Sequence, residues 1–165
     1  MKIVYVIKGL NVHSGVERKI EDMKKAWETN GCTVEIYDQQ TSSSYRSKFT
    51  FNFLLAFFNR LIKLFYDSRL ERKLNEFSPD IIYWRFGPVP LLQPFNPRFK
   101  LVVESNTNLI VEKDTRGFLT RLGIFVYLRK FLKVADGVIG VTEDCLNGFE
   151  GLKNQAVVGN GVQFS

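Results

Sequence analysis

The chain has 165 residues, 45% of them hydrophobic and 24% charged, enough for one domain with a substantial core and ordinary for a folded globular protein rather than a disordered one. Its formal charge of +6 points to an anionic partner such as nucleic acid, a membrane surface or a phosphorylated substrate, or simply to surface solubility. Two distant cysteines and one histidine exclude a disulfide framework and a zinc site of His/Cys spacing, and suggest free thiols in a reducing compartment.

The opening "MKIVYVIKG" has too short an apolar run for a signal peptide and no small-residue cleavage site. "KIVYVIK" reads as a strand buried on both faces. A helix follows over Gly15 to Thr29, with Val16, Ile20, Met23 and Trp27 on one stripe, and Asn30-Gly31 stops it because glycine accepts the left-handed cap position. "TVEIYD" is the second strand, and "QQTSSSYRS" is a polar loop. The spacing of Leu55, Phe58, Ile62, Tyr66, Leu70 and Leu74 predicts one long helix from about Phe51 to Phe77, closed by Pro79. "FTFNFLLAFF", the longest near-apolar run, is about half a membrane span.

"DIIYWRF" is the third strand, "GPVPLLQPFNP" a proline-rich loop, and "FKLVVES" the fourth strand. A helix is expected over Arg116 to Val134, then a strand in "DGVIGVT", a short helix from Glu143 and a last strand in "QAVVG". Apolar strands alternating with helices predict an α/β fold, a Rossmann-like parallel sheet with helices on both faces. Ligands of such sheets bind beyond the carboxyl ends of the strands. That rule brings the segment around Gly15, Arg85, Glu104 to Asn106, and Thr142 into consideration.

What those residues can do is less constrained. Ser14-Gly15 at a helix start lets a diphosphate approach bare backbone N–H groups, or serves only as a tight turn. The G-x-G-x-x-G pattern of dinucleotide binding is absent, as is a P-loop Lys-Ser/Thr pair. His13 is either a general base or a polar loop residue. Glu104 either bonds a substrate hydroxyl or is a solvated strand-end acid, and Arg85 is a candidate for a phosphate or a sugar. The segment "RGFLTRLGIFVYLRKFLK" holds Arg116, Arg121, Arg129, Lys130 and Lys133 without an acid, interleaved with Phe118, Phe125, Tyr127 and Phe131. Such a helix can lie on an anionic bilayer, or pack its aromatics on the sheet and turn its cations to water. No nucleic-acid-binding motif accompanies the charge.

Taken in order, these segments resemble the family 4 retaining glycosyltransferases of GT-B fold. "SGVERK" resembles that family's glycine-glycine-x-glutamate segment, "ADGVIGVTEDCLNGF" its alanine-aspartate, strand, then serine/threonine segment, and "VVGNGVQFS" the asparagine-glycine-valine-aspartate stretch that ends its first domain. "PDIIYWRF" and "LVVESNT" resemble its middle strands. The resemblance implies that residues 1–165 are an N-terminal, acceptor-binding half of a GT-B fold, with Asn160 and Gly161 in the interdomain linker and a C-terminal donor-binding domain outside this chain. It implies transfer of a sugar, with retention, from a nucleotide-sugar donor to a glycan or lipid-linked acceptor in bacterial surface polysaccharide synthesis. Alone, the half is expected not to turn over.

The resemblance also implies donor diphosphate at Ser14 and Gly15, acceptor contacts from Arg85, Glu104, Asn106 and Thr142, no metal, and no cofactor beyond the donor. A cytoplasmic chain, peripheral on the inner face of the cell membrane, is the expected location, and nucleic acid is not an expected partner. Three positions depart from the family pattern. Ser14 replaces the first glycine, "ESNT" stands where many members carry a histidine, and Gln163 replaces the linker aspartate. Asn106 and His13 are left as the candidate catalytic residues. The alternative is a membrane-docking subunit that recruits a separate donor-binding chain.

Overall fold

The structure, a computed structural model, describes residues 1–7, 15–39, 67–85, 98–111 and 118–159. In chain order the described elements are β1 (Lys2–Ile7), α1 (Gly15–Thr29), β2 (Thr33–Asp38), α2 (Ser68–Phe77), β3 (Ile81–Arg85), β4 (Lys100–Ser105), α3 (Phe118–Val134), β5 (Gly137–Gly140) and β6 (Gln155–Val157). A single 3-10 turn, Glu143–Leu146, separates the last two strands. The strands form one six-stranded sheet in the order β2-β1-β3-β4-β5-β6, and the β1–β2, β4–β5 and β5–β6 pairings are parallel. This is the expected α/β, Rossmann-like arrangement. The chain divides into two compact units, Met1–Ile82 with Gly87–Phe99, and Tyr83–Phe86 with Lys100–Ser165.

In the first unit, β1 is the centre. Ile3 to Ile7 are all buried, so both faces of the strand are covered, as an apolar run without alternation requires. Ile20 of α1 is buried, and Trp27 meets the Tyr5 ring edge-on at 5.6 Å. Gly31, with φ of +78°, takes the left-handed position that ends α1, and its N–H bonds the Glu28 carbonyl. The amino end of β1 is fastened by the Lys2 N–H, which donates to Asp80 Oδ2 at 2.7 Å, while the Asp80 N–H returns to the Lys2 carbonyl.

The expected long helix is corrected here. Asp67 is extended (φ −114°, ψ 94°) and caps α2, its Oδ1 accepting from the N–H groups of Arg69 and Leu70 at 3.1 Å. A helix cannot pass through an extended residue, so α2 starts at Ser68. The stretch 51–66 lies outside the described residues. The apolar spacing ran on through the boundary because Leu70 and Leu74, both buried, keep the period of the residues before them. Asp67 also receives the Tyr37 hydroxyl on both carboxylate oxygens, at 3.0 and 2.9 Å, which pins the end of β2 to the start of α2. Burial, then the adjacent Asp67 charge, pushes the Tyr37 hydroxyl well above the usual tyrosine range. Lys73 of α2 is ion-paired with Glu35 of β2.

In the second unit, β4 and β5 are joined at their start by Asp136. Its Oδ2 accepts the Leu101 N–H at 2.9 Å and its Oδ1 the Lys100 ammonium at 2.9 Å, while its own N–H donates to the Leu101 carbonyl. Burial opposes the charge, but the Leu101 N–H and Lys100 outweigh it and hold the carboxyl below the ordinary carboxylate range. A depressed folded pKa contributes stability above the unfolded value, about 3.9, and that contribution disappears as pH falls through the folded value. Asp136→Ala is therefore expected to cost about 1–2 kcal/mol at neutral pH, a figure discounted for its partial exposure. Urea titrations should show the gap to wild type closing below about pH 4. An equal gap at pH 7 and in acid would contradict the ionic reading.

Candidate functional site at the carboxyl ends of the strands

The second unit brings three strand ends together. Arg85 is the last residue of β3, Ser105 the last of β4, and Gly140 the last of β5. The parallel register sets Ser105 opposite Gly140, and the Val141 N–H donates to the Ser105 carbonyl. Asn106 and Thr142 therefore leave the sheet at the same end. β3 and β5 are apolar up to that point because their faces are covered, whereas β4 carries two buried polar residues, Glu104 and Ser105, at its end.

The β4 end is tightly built. Ser105 is buried, its hydroxyl donating to the Thr107 carbonyl at 3.2 Å. Asn106 is half-buried. Asn108 Oδ1 accepts from the N–H groups of Ile110 and Val111, capping the turn at 109–111. Glu104 lies inside β4 at 1% exposure and has an interaction of its own within the protein. It is not the solvated strand-end acid that was one of its two readings.

The β5 end is held by a glycine. A Cβ on Gly140 would stand 2.7 Å from the Thr142 carbonyl oxygen and 2.9 Å from Leu146 Cδ2. That close approach folds the chain straight into the 3-10 turn. Thr142 precedes it in an extended conformation (φ −141°, ψ 166°), exposed, with its Oγ1 3.3 Å from Cys145 Sγ. Its hydroxyl makes no capping bond and is paired instead with the Cys145 thiol.

Arg85 differs from the rest. The side chain is half-buried, and its Nη1 is sealed from solvent with no hydrogen-bond partner. Position alone had marked it; the orphaned nitrogen is a three-dimensional fact.

In the first unit, Gly15 is the first residue of α1, the position that the anion-binding and turn readings both need. His13 and Ser14 lie outside the described residues, as do Arg116, Asn160 and Gly161. Among the described residues, no three His, Cys, Asp or Glu side chains are grouped so as to hold a metal ion.

The basic helix resolves into two sides. Ile124 and Phe131 of α3 are buried, Phe131 completely. Leu122, Phe125, Val126 and Leu132 are exposed together with Arg121, Arg129 and Lys133, and these seven positions form a single stripe at helical spacing. The Arg129 guanidinium stacks 4.9 Å from the Phe125 ring centre. Lys130 is half-buried, engaged within the protein, and lowered to a pKa of about 8 by burial. Among the described residues, no helix is long and apolar enough to cross a membrane.

No protein-family model matches the chain, and no curated protein matches it. The fold and the strand-end residues define an α/β protein of Rossmann-like class.

Proposed function

We propose that the chain is the acceptor-side half of a retaining glycosyltransferase of GT-B architecture. It moves a sugar from a nucleotide-sugar donor to a glycan or lipid-linked acceptor in bacterial surface polysaccharide synthesis. One observation carries this reading: the segments with family resemblance occupy successive junctions of one parallel sheet. "SGVERK" spans the start of α1, "DIIYWRF" is β3 with its flanks, "LVVES" is within β4, and "ADGVIGVTED" is β5 with the turn after it. Arg85, Ser105 and Thr142 of these segments fall at the carboxyl ends of their strands, where ligands of parallel sheets bind.

In this reading the helix start at Gly15 receives the donor diphosphate, whose charge suits the unpaired N–H groups of a first helical turn. Arg85, Asn106 and Thr142 face the acceptor. The test is transfer from a panel of nucleotide sugars by the protein expressed from its full reading frame, followed by the Gly15→Val variant. A valine there would fill the space the diphosphate needs. The loss in kcat/KM is expected to be at least about 30-fold, equivalent to roughly 2 kcal/mol of transition-state stabilisation. A variant that melts like wild type and transfers within about twofold of it would leave Gly15 as a turn residue.

The exposed stripe of α3 supports a membrane-surface partner for this half, and it also favours a second reading, a docking subunit that recruits a separate donor-binding chain. The two part on one measurement. Transfer by the protein purified alone supports the single-chain enzyme, and transfer only after a second gene product is added supports the subunit.

A further inference from the structure

We propose that the acceptor carries an oxyanion, a phosphate or a carboxylate, and that Arg85 is its counter-ion. The substrate class rests on the acceptor-side reading above. The anion site rests on Arg85 itself. Its Nη1 is buried and unbonded at the end of β3, directly after Tyr83 and Trp84, both buried. A guanidinium is a donor only, and here one of its nitrogens has no acceptor. Buried polar groups are nearly always paired, and an unpaired charged one costs more than a neutral one.

Among the described residues, the ends of β4 and β5 offer no substitute. Glu104 on neighbouring β4 is buried and already engaged within the protein. Ser105 spends its hydroxyl hydrogen on the Thr107 carbonyl. Asn106 and Thr142, at the adjacent strand ends, are at least partly accessible and carry neutral groups able to bond the rest of a ligand. Nη1 is shut from solvent as it stands, but the side chain as a whole is only half-buried, so the guanidinium can turn outward to meet an oxyanion arriving at the strand end. Its planar fork then binds two oxygens at once, a geometry a lysine cannot reproduce. A strand end in a parallel sheet is also where a ligand is expected.

The experiment is thermal melting of the 165-residue chain in chloride, inorganic phosphate and acetate at equal ionic strength, for wild type, Arg85→Met and Arg85→Lys. Wild type should gain about 3–5 °C, saturably, once one of the oxyanions exceeds its Kd about tenfold. The responding arm, phosphate or acetate, identifies the group the acceptor carries. Arg85→Met should melt in chloride no lower than wild type, since it removes an unpaired buried donor, and should lose the gain. Arg85→Lys keeps the charge and should lose most of it. Equal oxyanion responses in wild type and Arg85→Met, or no response in wild type, would overturn the proposal. If Arg85→Met fails to fold, the wild-type titration read against Arg85→Lys decides in the same way. Sugar transfer without anion binding would remove this inference alone. Anion binding at Arg85 without transfer would leave the site and remove the glycosyltransferase reading.

Discussion

Gly140→Ala is expected to lower stability by about 3 kcal/mol, at the upper end of what overpacking costs. The reason is which atoms are in the way. The added Cβ would lie 2.7 Å from the Thr142 carbonyl oxygen, 2.9 Å from Leu146 Cδ2 and 3.0 Å from Leu146 Cγ. A side-chain tip can swing aside, but the Thr142 carbonyl is backbone and also accepts the Cys145 N–H that closes the 3-10 turn. Relief therefore opens the turn or lifts β5 from its neighbours. Either movement strains the Val158 N–H bond to the Gly140 carbonyl and the Val141 N–H bond to Ser105.

For a domain of this size, such a loss lowers Tm by about 6–12 °C, measurable by circular dichroism. Gly159→Ala is the control, because a Cβ there meets nothing within 4 Å. It should stay within about 0.5 kcal/mol of wild type. Gly140→Ala melting with the control would mean that the turn has slack the geometry does not show. If the proposed acceptor-side reading holds, the same substitution should also weaken acceptor use, because Thr142 moves with the turn.

The inner strands β1, β3 and β5 were legible because burial on both faces leaves only one kind of sequence. Ile3 to Ile7, Ile82 to Trp84 and Val138 have no room for polar side chains, and the apolar runs that result cannot be mistaken for alternating ones. The stop at Gly31 was legible for the opposite reason, as a backbone demand that one residue type meets best. The start of α2 was missed although Asp67-Ser68 is a helix-start signal, because the apolar period on either side of it is continuous. In α3, the period already sets Phe125 and Phe131 about 120° apart around the axis. Which of the two faces the sheet is a matter of packing, and Phe131 is the one inside. The strand-end residues could be found from the rule for parallel sheets. Their states could not: the burial of Glu104, the orphaned Arg85 Nη1 and the crowding at Gly140 each depend on neighbours distant in sequence.

The last expected result concerns the outer stripe of α3. Reversing Arg121, Arg129 and Lys133 together to glutamate should reduce partitioning onto anionic vesicles at least about 100-fold at low salt. All three cations are exposed on the face that also presents Leu122, Phe125, Val126 and Leu132, and the helix carries no acid to offset them. Each cation near an anionic surface contributes on the order of 1 kcal/mol, so removing three already accounts for that factor, and reversal adds repulsion. Lys130 is left out because it is half-buried, and burial lowers its pKa to about 8. The apolar part is tested separately. Leu122→Ala with Phe125→Ala should weaken binding by a factor that changes little with salt, since it removes insertion at the headgroup boundary rather than charge. The cation effect should fade between about 0.01 and 0.15 M salt, where the screening length shrinks from about 30 to 8 Å. Co-sedimentation that is equal for anionic and neutral vesicles, or unchanged by the triple reversal, would show that the stripe merely solubilises the chain.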